Sequence, residues 1–352
     1  MRVEHSNDAP LRVLWATDYE ADGNAYGYSM HNVRARDAVE KAGVQLDPHA
    51  PVAVHVAPAH LFRPIPGRRN ILYMAWETED LPDAHARGVA EADAVAVTAS
   101  FLVDVIRRRF PEKPVARCPL GVDADTFSFR HRRKPSDRPF RFLWVGAPNA
   151  RKGWELVLRA WKPFEDDGRA ELYLKTTVTN RLERHRNIVF DSRNLPLEEL
   201  VALYHSAHAF LFPSFGEGFG LTLAEAMATG LPALFTPWSS LTDFADASCA
   251  YPLKYRLIPA WATPEGGLST DGPAPSKRSV RTRLAQAEPS DLARRMVEVF
   301  RHYPRAARRG ARAAQRIRSR LTWAGAAHAL IQLIKEVNNR WQPAQPSAPA
   351  RI

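Results

Sequence analysis

Short runs of apolar residues alternate along the chain with longer stretches in which apolar residues recur at helical spacing, and the whole pattern occurs twice. Such alternation predicts parallel β-sheets that are covered by helices. The first half predicts strands near residues 12–16, 52–56, 71–76, 94–99 and 115–118 and helices near residues 29–42, 83–91 and 101–109. The second half predicts strands near residues 140–146, 172–175, 188–190, 209–213 and 233–235 and helices near residues 154–161, 197–206 and 221–229. The predicted fold class is α/β, with two Rossmann-like, doubly wound parallel-sheet domains that face a cleft.

A charged segment with the sequence RHRRKPSDRP, residues 130–139, separates the two halves and lacks apolar periodicity. Such a segment is typical of an interdomain linker. The predicted division is an N-terminal domain at 1–130, a linker at 131–139, a C-terminal domain at 140–320, a last helix at 321–341 and a disordered tail at 342–352. Residues 262–289 are rich in Pro, Gly, Ser and Thr, which favours an exposed loop over a core element.

The composition is typical of a globular protein. With 352 residues, of which 45% are hydrophobic and 25% charged, the chain can bury the cores of two domains. Its first apolar run, LRVLWA, is far shorter than a signal peptide or a membrane span requires, so a cytoplasmic location is expected. Cys118 and Cys249 have no metal-ligand spacing and are expected to be ordinary buried residues.

A formal net charge of +11 raises the question of an anionic partner. Eight arginines lie among alanines between residues 301 and 320. This spacing favours the solvated face of a helix. Peripheral contact with an anionic membrane or an anionic acceptor is the second interpretation, and nucleic acid is the least favoured.

The most informative stretch is SFGEGFGLTLAEAMATG, residues 214–230, which follows an apolar strand and opens a helix. Glycines let the backbone turn sharply and approach a ligand, and a helix start presents unpaired N–H groups that suit a diphosphate. Glu217 and Glu225 can flank one bound molecule, because carboxylates accept hydrogen bonds from sugar hydroxyls. A junction that serves only packing is the alternative for a glycine loop alone.

The whole string resembles the E-x7-E signature of glycosyltransferase family 4, the retaining enzymes with the GT-B fold. The resemblance implies that Glu217 contacts the transferred sugar and that Glu225 holds the nucleotide ribose. It also implies that the glycine-loop backbone contacts sugar and phosphate; the donor-binding set there is Gly216, Gly218, Phe219, Gly220 and Leu221. The resemblance covers residues 11–341, strongly over 141–245, and implies that the last helix crosses back to the first domain.

A second motif, WVGAPNARKGWELVLRAW at residues 144–161, resembles the family's strand-to-helix segment in which Arg and Lys grip the donor diphosphate. These residues are Arg151 and Lys152 here. Cleavage of the bond from sugar to phosphate builds negative charge on the leaving oxygen, which fixed cations stabilise. The pair Asp123 and Asp125 lies far from these motifs and is interpreted as a turn, so neither a metal ion nor another cofactor is expected.

The N-terminal half is expected to supply the acceptor site. Its first glycine loop and helix resemble the family's and place Gly23 and Gly27 near the donor phosphates or the acceptor. Where many family members carry a histidine near the reacting carbon, this chain has Trp76-Glu77-Thr78, so Glu77 becomes the catalytic candidate, with helix capping as the alternative. Single histidines such as His55 and His60 are more often structural. Lys175 ends a strand and is a further candidate for contact with the nucleotide.

The function predicted from these observations is transfer of a hexose from a nucleotide-diphosphate sugar to the hydroxyl of an unknown acceptor, with retention and by front-face displacement. A nucleotide-sugar epimerase of the same architecture stays open, as does a non-catalytic module that binds sugar or nucleic acid. A nicotinamide enzyme is disfavoured because no G-x-G-x-x-G follows the first strand. Residues 262–289 are a candidate lid on the acceptor side.

Overall fold

The computed structural model describes residues 10–16, 26–177, 179–270 and 272–339. Strands β1 to β16 lie, in chain order, at Arg12–Trp15, Gln45–Leu46, Val52–Val56, Arg69–Met74, Ala94–Val97, Val115–Arg117, Phe140–Val145, Ala170–Lys175, Leu182–His185, Ile188–Asp191, Ala209–Phe212, Ala233–Phe235, Tyr251–Pro252, Tyr255–Ala262, Leu268–Ser269 and Val280–Ala287. Helices α1 to α9 lie at Tyr26–Lys41, Asp83–Glu91, Ser100–Arg109, Trp154–Ala160, Leu197–Ser206, Leu221–Ala228, Pro289–Arg301, Tyr303–Arg320 and Trp323–Asn339.

The first sheet is entirely parallel and has the strand order β2-β1-β3-β4-β5-β6. Its central strand Val52–Val56 is buried at every position, as expected of a strand covered on both faces. Strand β2 lies on one side of β1 and β3 lies on the other, so the direction in which successive strands are added to the sheet reverses between β1 and β3. The loop that follows β3 therefore opens at the carboxyl edge, where doubly wound sheets bind ligands.

The second sheet has the order β13-β12-β11-β7-β8-β10-β9, and only β9 is antiparallel to its neighbour. From β7 the chain first moves outward through β8 and then returns to place β11 on the other side of β7. The reversal lies between β7 and β11. Two parallel-sheet domains of this kind confirm the predicted fold class.

Residues 262–289 are only in part the exposed loop that their composition predicts: residues 272–278 are exposed and irregular, but Val280–Ala287 is a strand. The chain forms an antiparallel pair, in which Tyr255–Ala262 lies beside Val280–Ala287 in unbroken register, and Leu268–Ser269 adds a third strand. We call residues 255–287 the strap. Ala260 and Leu284 pack into the core of the second domain, whereas Ala262 packs into the core of the first. The strap therefore joins the two domains.

Helix α9 returns to the first domain after the second is complete. It packs against α1 and also contacts β3, β4, β5 and β6 of the first sheet. Leu330, Leu333 and Ile334 are buried on its inner face, so the contact is apolar. Among the helices of the described ranges, none combines the length and the apolar composition that crossing a membrane requires. The proposed tail at 342–352 lies outside the described residues.

Arg132 anchors the otherwise irregular segment that joins the domains. Its guanidinium donates to the carbonyl oxygens of Tyr204, His205 and Ala207 at the end of α5 and to the carbonyl and hydroxyl oxygens of Thr229 at the end of α6. A cation that binds the last carbonyls of a helix also complements the helix dipole. One side chain thus fixes the ends of both helices.

Replacement of Arg132 by alanine is expected to lower the free energy of unfolding by about 2–4 kcal/mol, because several partly buried carbonyl groups lose their donor. Urea unfolding measures this difference. Arg133→Ala is the matched control, because Arg133 is the exposed neighbour of Arg132. Equal stability of the two variants would show that the guanidinium does not hold the helix ends.

Candidate active site

The reversal of the second sheet between β7 and β11 brings two loops together at its carboxyl edge. The loop after β7 carries Arg151 and Lys152 in a short 3₁₀ turn, Ala150–Lys152, and the loop after β11 carries Glu217. Nζ of Lys152 donates to both carboxylate oxygens of Glu217 at 2.8 and 2.9 Å. The residues that the two motifs predict are therefore in direct contact.

Arg151 is the second cation beside Glu217. Its Nη1 lies 3.6 Å from Oε2 of Glu217 and donates a hydrogen bond to the carbonyl oxygen of Gly216. Its Nη2 lies 3.5 Å from Oε1 of Glu77, which belongs to the first domain. Two cations and two carboxylates thus form a charge-balanced cluster that bridges the domains. None of its side chains is freely exposed to solvent, and Glu217 is only 5% exposed.

The cluster keeps Glu217 ionised. Burial by itself raises the pKa of the Glu217 carboxyl, but the charges of Lys152 and Arg151 and the hydrogen bonds from Lys152 and Ser214 outweigh it and hold the pKa below its usual value. The hydroxyl of Ser214 donates to Oε1 of Glu217 at 2.6 Å. Glu217 is therefore an anion that stands where the two cations converge.

Two glycines of this loop have conformations or neighbours that exclude a side chain. Gly220 has a φ of 92°, in the left-handed region, and directly precedes Leu221, the first residue of α6. A Cβ on Gly218 would lie 2.8 Å from the Cβ of Ala75 in the first domain. The glycine loop thus turns sharply into the start of a helix, whose first N–H groups have no partner within the helix, and it touches the opposite domain.

Three side chains that follow two other strands hold the loop in place. Thr98, after β5 of the first domain, donates its hydroxyl to the carbonyl oxygen of Gly218 at 2.6 Å. Ser239 and Ser240, after β12, both donate to the carbonyl oxygen of Glu217, at 3.1 and 2.8 Å. Sequence reasoning did not identify these three residues or Ser214. The signal that can find them is their position at the carboxyl ends of strands in the two sheets.

Glu225 lies one turn into α6 and does not touch the ion cluster. It accepts a hydrogen bond from the hydroxyl of Tyr204 at 3.2 Å. Burial raises the pKa of the Glu225 carboxyl to about 8, although the bond from Tyr204 and the charge of Arg34 oppose the rise. The glycine loop separates the Glu225 carboxyl group from Glu217. The pKa of Glu225 is raised, whereas the pKa of Glu217 is lowered.

Other residues named from the sequence have structural surroundings. Lys175 is 3% exposed, and its Nζ donates to the carbonyl oxygens of Thr176 and Arg193. Phe219 turns its ring into the core beside Phe244 and offers only its backbone to the loop. Gly27 lies exposed in the first turn of α1. Gly23 lies outside the described residues.

His55, His60 and the two cysteines have structural surroundings. Nε2 of His55 shares a hydrogen bond with Asn70 at 2.9 Å, and Nδ1 of His60 shares one with His85 at 3.1 Å. Cys118 and Cys249 are both buried free thiols, as expected.

The Asp123–Asp125 pair is a turn, as interpreted from its position. Asp123 accepts hydrogen bonds from the backbone N–H groups of Asp125 and Thr126 and from the hydroxyl of Thr126. In the parts of the chain that the structure describes, no three His, Cys, Asp or Glu side chains gather as they do around a metal ion. The charge at the candidate site is supplied there by Arg151 and Lys152.

The family model described as "Family 4 Glycosyltransferase in conflict systems" matches residues 47–330, which includes both halves of this site. The chain belongs to glycosyltransferase family 4. The resemblance of residues 214–230 to this family is therefore confirmed at the level of the family.

Curated relatives of this family-4 chain match only part of it. The O-antigen chain mannosyltransferase B of Escherichia coli is 34% identical over 26% of this chain and 23% of its own length. The MMP alpha-(1->4)-mannosyltransferase of Mycolicibacterium hassiacum is 32% identical over 38% of this chain and 34% of its own length. The matched region thus spans about a quarter to a third of these two relatives.

Solved structures match nearly the whole fold. Sucrose-phosphate synthase from Thermosynechococcus elongatus has a TM-score of 0.65 at 15% identity and covers 94% of this chain and 100% of its own. A glycosyltransferase from Rickettsia africae has a TM-score of 0.64 at 10% identity, with the same coverage. Likeness at such low identity establishes the two-domain fold and not the substrate.

Proposed function

We propose that this chain is a retaining glycosyltransferase that moves a hexose from a nucleotide-diphosphate sugar to an acceptor hydroxyl. The observation that carries the proposal is the contact of Lys152 and Arg151 with Glu217 beside the start of α6. Two cations and a helix start provide a site for a diphosphate, and a carboxylate next to them can accept hydrogen bonds from sugar hydroxyls. Family membership supports the same activity.

The reaction forms a bond between the acceptor oxygen and the anomeric carbon and breaks the bond from that carbon to the diphosphate oxygen. In front-face displacement the acceptor's proton passes to the departing phosphate oxygen, so that the products are the glycoside and a nucleoside diphosphate. Lys152 and Arg151 stabilise the negative charge that develops on the leaving group. Contact between the glycine loop and Ala75 closes the site on the side of the first domain, which limits the access of water.

A bound diphosphate must replace Glu217 as the partner of Lys152 and Arg151. In the described structure Lys152 is fully engaged by this carboxylate, and Arg151 is shared between Glu217 and Glu77. A bound diphosphate supplies a competing anion to the same two cations. Glu217 is then released toward the sugar, and Glu77 remains the first-domain group that orients Arg151 at the reacting end.

A nucleotide as leaving group is supported by two solved structures that share the fold. One neighbour, TarM from S. aureus, covers 80% of this chain with a TM-score of 0.57 and was solved with UDP and an α-GlcNAc-glycerol. Another, the pneumococcal O-GlcNAc transferase GtfA, was solved with UDP and GlcNAc. We extend this only to the class of donor and include UDP, GDP and ADP sugars in the tests. A reaction that needs no metal ion is part of the proposal, because two cations already flank the diphosphate.

The direct experiment incubates each nucleotide sugar with and without a pool of acceptor glycans and measures the release of nucleoside diphosphate in the presence of EDTA. Acceptor-dependent release with formation of an α-linked glycoside is expected. Formation of an epimerised sugar from donor alone would instead establish the epimerase alternative. Absence of both products from every donor would contradict the proposal.

Glu225 is expected to make the affinity for a nucleoside diphosphate depend on pH. Its carboxyl group, with a pKa of about 8, is neutral below that pH in the free protein. A carboxylate accepts stronger hydrogen bonds from ribose hydroxyls than a neutral carboxyl group does, so the affinity for a nucleoside diphosphate is expected to rise about tenfold between pH 6.5 and 9. Calorimetric titration of the protein and of Glu225→Gln at several pH values measures this change. An equal rise in the variant would assign it to another group.

A further inference from the structure

The excess positive charge of the chain lies in two segments that the transfer site does not use. Residues 130–138 contain five basic and one acidic side chain, and residues 289–320 contain ten arginines and two acidic side chains. The whole chain has 49 Lys and Arg and 38 Asp and Glu. The remainder is therefore nearly neutral, and the net charge of +11 comes from these two segments.

The fold brings the two segments together on one side of the second domain. Nζ of Lys134 lies 4.1 Å from the centroid of the Phe300 ring in α7. Gly310 of α8 packs against Gly230, and Gly230 in turn packs against the backbone of Arg130. The linker cations thus lie beside the junction of α7 and α8. We call the exposed cations there the basic surface; they are Arg130, Arg133, Lys134, Arg138, Arg301, Arg305 and Arg308.

These seven cations are available to a partner. Within the described ranges none of the seven forms an ion pair, whereas their neighbours Arg294, Arg295 and Arg316 are each neutralised by an acidic side chain. Arg305 and Arg308 lie one helical turn apart, so they project from the same side of α8. A concentration of unpaired charge of one sign attracts a polyanion and binds it by release of counterions.

A cavity of about 440 Å³ opens within the basic surface. Its charged lining residues are Lys134, Asp137, Arg138 and Arg169, of which Arg169 is paired with Asp167. Lys134 and Arg138 offer contacts to a phosphate, whereas the rings of Phe140 and Phe300 are buried, at 1% and 9% exposure, and belong to the core.

Two observations favour a nucleic acid over an anionic membrane as the partner of the basic surface. Surfaces that lie on membranes place large apolar side chains among their cations. In the part of the chain that the structure describes, the exposed large apolar residues are Val33, Leu61, Leu182, Leu197, Tyr255 and Leu257, and none belongs to either basic segment. In addition, six of the seven cations are arginines, whose planar guanidinium binds phosphate in bidentate fashion.

We propose that the basic surface binds the phosphodiester backbone of a nucleic acid. This differs from the order of preference that the sequence suggested, because the sequence did not show that the linker and α8 form one surface or that this surface lacks apolar anchors. The site is separate from Lys152 and Glu217. Binding there does not require sugar transfer, and failure of one proposal leaves the other intact.

Fluorescence anisotropy with labelled single-stranded RNA and double-stranded DNA of 20 nucleotides tests the proposal. The full chain is expected to bind at least one probe at 50 mM salt, with an affinity that falls about 1000-fold at 200 mM if six phosphates are contacted. The double variant R305E/R308E is expected to bind at least tenfold more weakly. R107E/R108E is the matched control, because these exposed arginines of α3 give the same change in net charge.

Loss of binding in R305E/R308E with retention in R107E/R108E would support the proposal. An equal loss in both variants would show a general effect of net charge and overturn it. Absence of binding to either probe, with sedimentation on vesicles that contain 30% phosphatidylserine, would overturn it in favour of a membrane. Circular dichroism of both variants verifies that each is folded.

Discussion

Replacement of Glu217 by alanine is expected to lower the rate of sugar transfer by about 100- to 1000-fold while nucleoside-diphosphate binding persists. The carboxylate is the group that Lys152 and Arg151 hold at the reacting end, and a single preorganised polar group at such a position is worth about 10²–10³ in rate. The variant also leaves two partly buried cations without their anion. Its affinity for a free nucleoside diphosphate is therefore expected to be unchanged or higher.

The unpaired charges of Lys152 and Arg151 in Glu217→Ala allow a second measurement, that of thermal stability. Removal of one partner from a buried ion pair costs about 3–5 kcal/mol of folding stability, which a bound diphosphate can restore. The thermal shift produced by a nucleoside diphosphate is thus expected to be larger for Glu217→Ala than for the parent. Glu112→Ala is the matched control, since Glu112 is an exposed turn residue. Transfer at the parent rate by Glu217→Ala would remove Glu217 from the site.

Replacement of Lys152 by alanine is expected to weaken both steps. The affinity for a nucleoside diphosphate should fall by about 10- to 100-fold, the value of one charge-assisted contact to phosphate. Transfer should fall by a further factor of about 100, because the leaving group loses a fixed cation as its charge develops. Steady-state kinetics together with calorimetric titration separates the two effects.

Lys162→Ala is the control for the loss of a lysine, because Lys162 is exposed on the second domain. The contrast between the two site variants is the informative result. We expect Glu217→Ala to lose transfer but to keep nucleotide binding, and Lys152→Ala to lose both. A Lys152→Ala protein that binds nucleotide as tightly as the parent would exclude the diphosphate from this position.

Hydrophobic periodicity predicted most regular elements because each packs one buried face against its own domain. Helices Asp83–Glu91 and Leu197–Ser206 and strand Val52–Val56 have the predicted bounds. The strap was missed because its strands pair across seventeen intervening residues and carry the Pro, Gly and Ser content of a loop. Its stability comes from the two domain cores that it joins, which no local pattern reveals.

The candidate site also contains residues that local sequence predicted and contacts that only the packing of the two domains creates. Glu217, Arg151 and Lys152 were identified from two local motifs, residues 214–230 and 144–161, and from their resemblance to glycosyltransferase family 4. The contact of Arg151 with Glu77 and the bond from Thr98 to Gly218 depend on how the two domains meet. Glu77 was found only because it occupies a position that the family resemblance marks, and Thr98 was not found at all.

A crystal structure of the chain with a bound nucleoside diphosphate would locate the donor site. We expect the distal phosphate within hydrogen-bonding distance of Nζ of Lys152 and next to the start of α6, the ribose beside Glu225, and Glu217 turned away from Lys152. A diphosphate bound elsewhere, such as in the cavity beside Lys134, with the ion pair between Lys152 and Glu217 unchanged, would contradict this expectation.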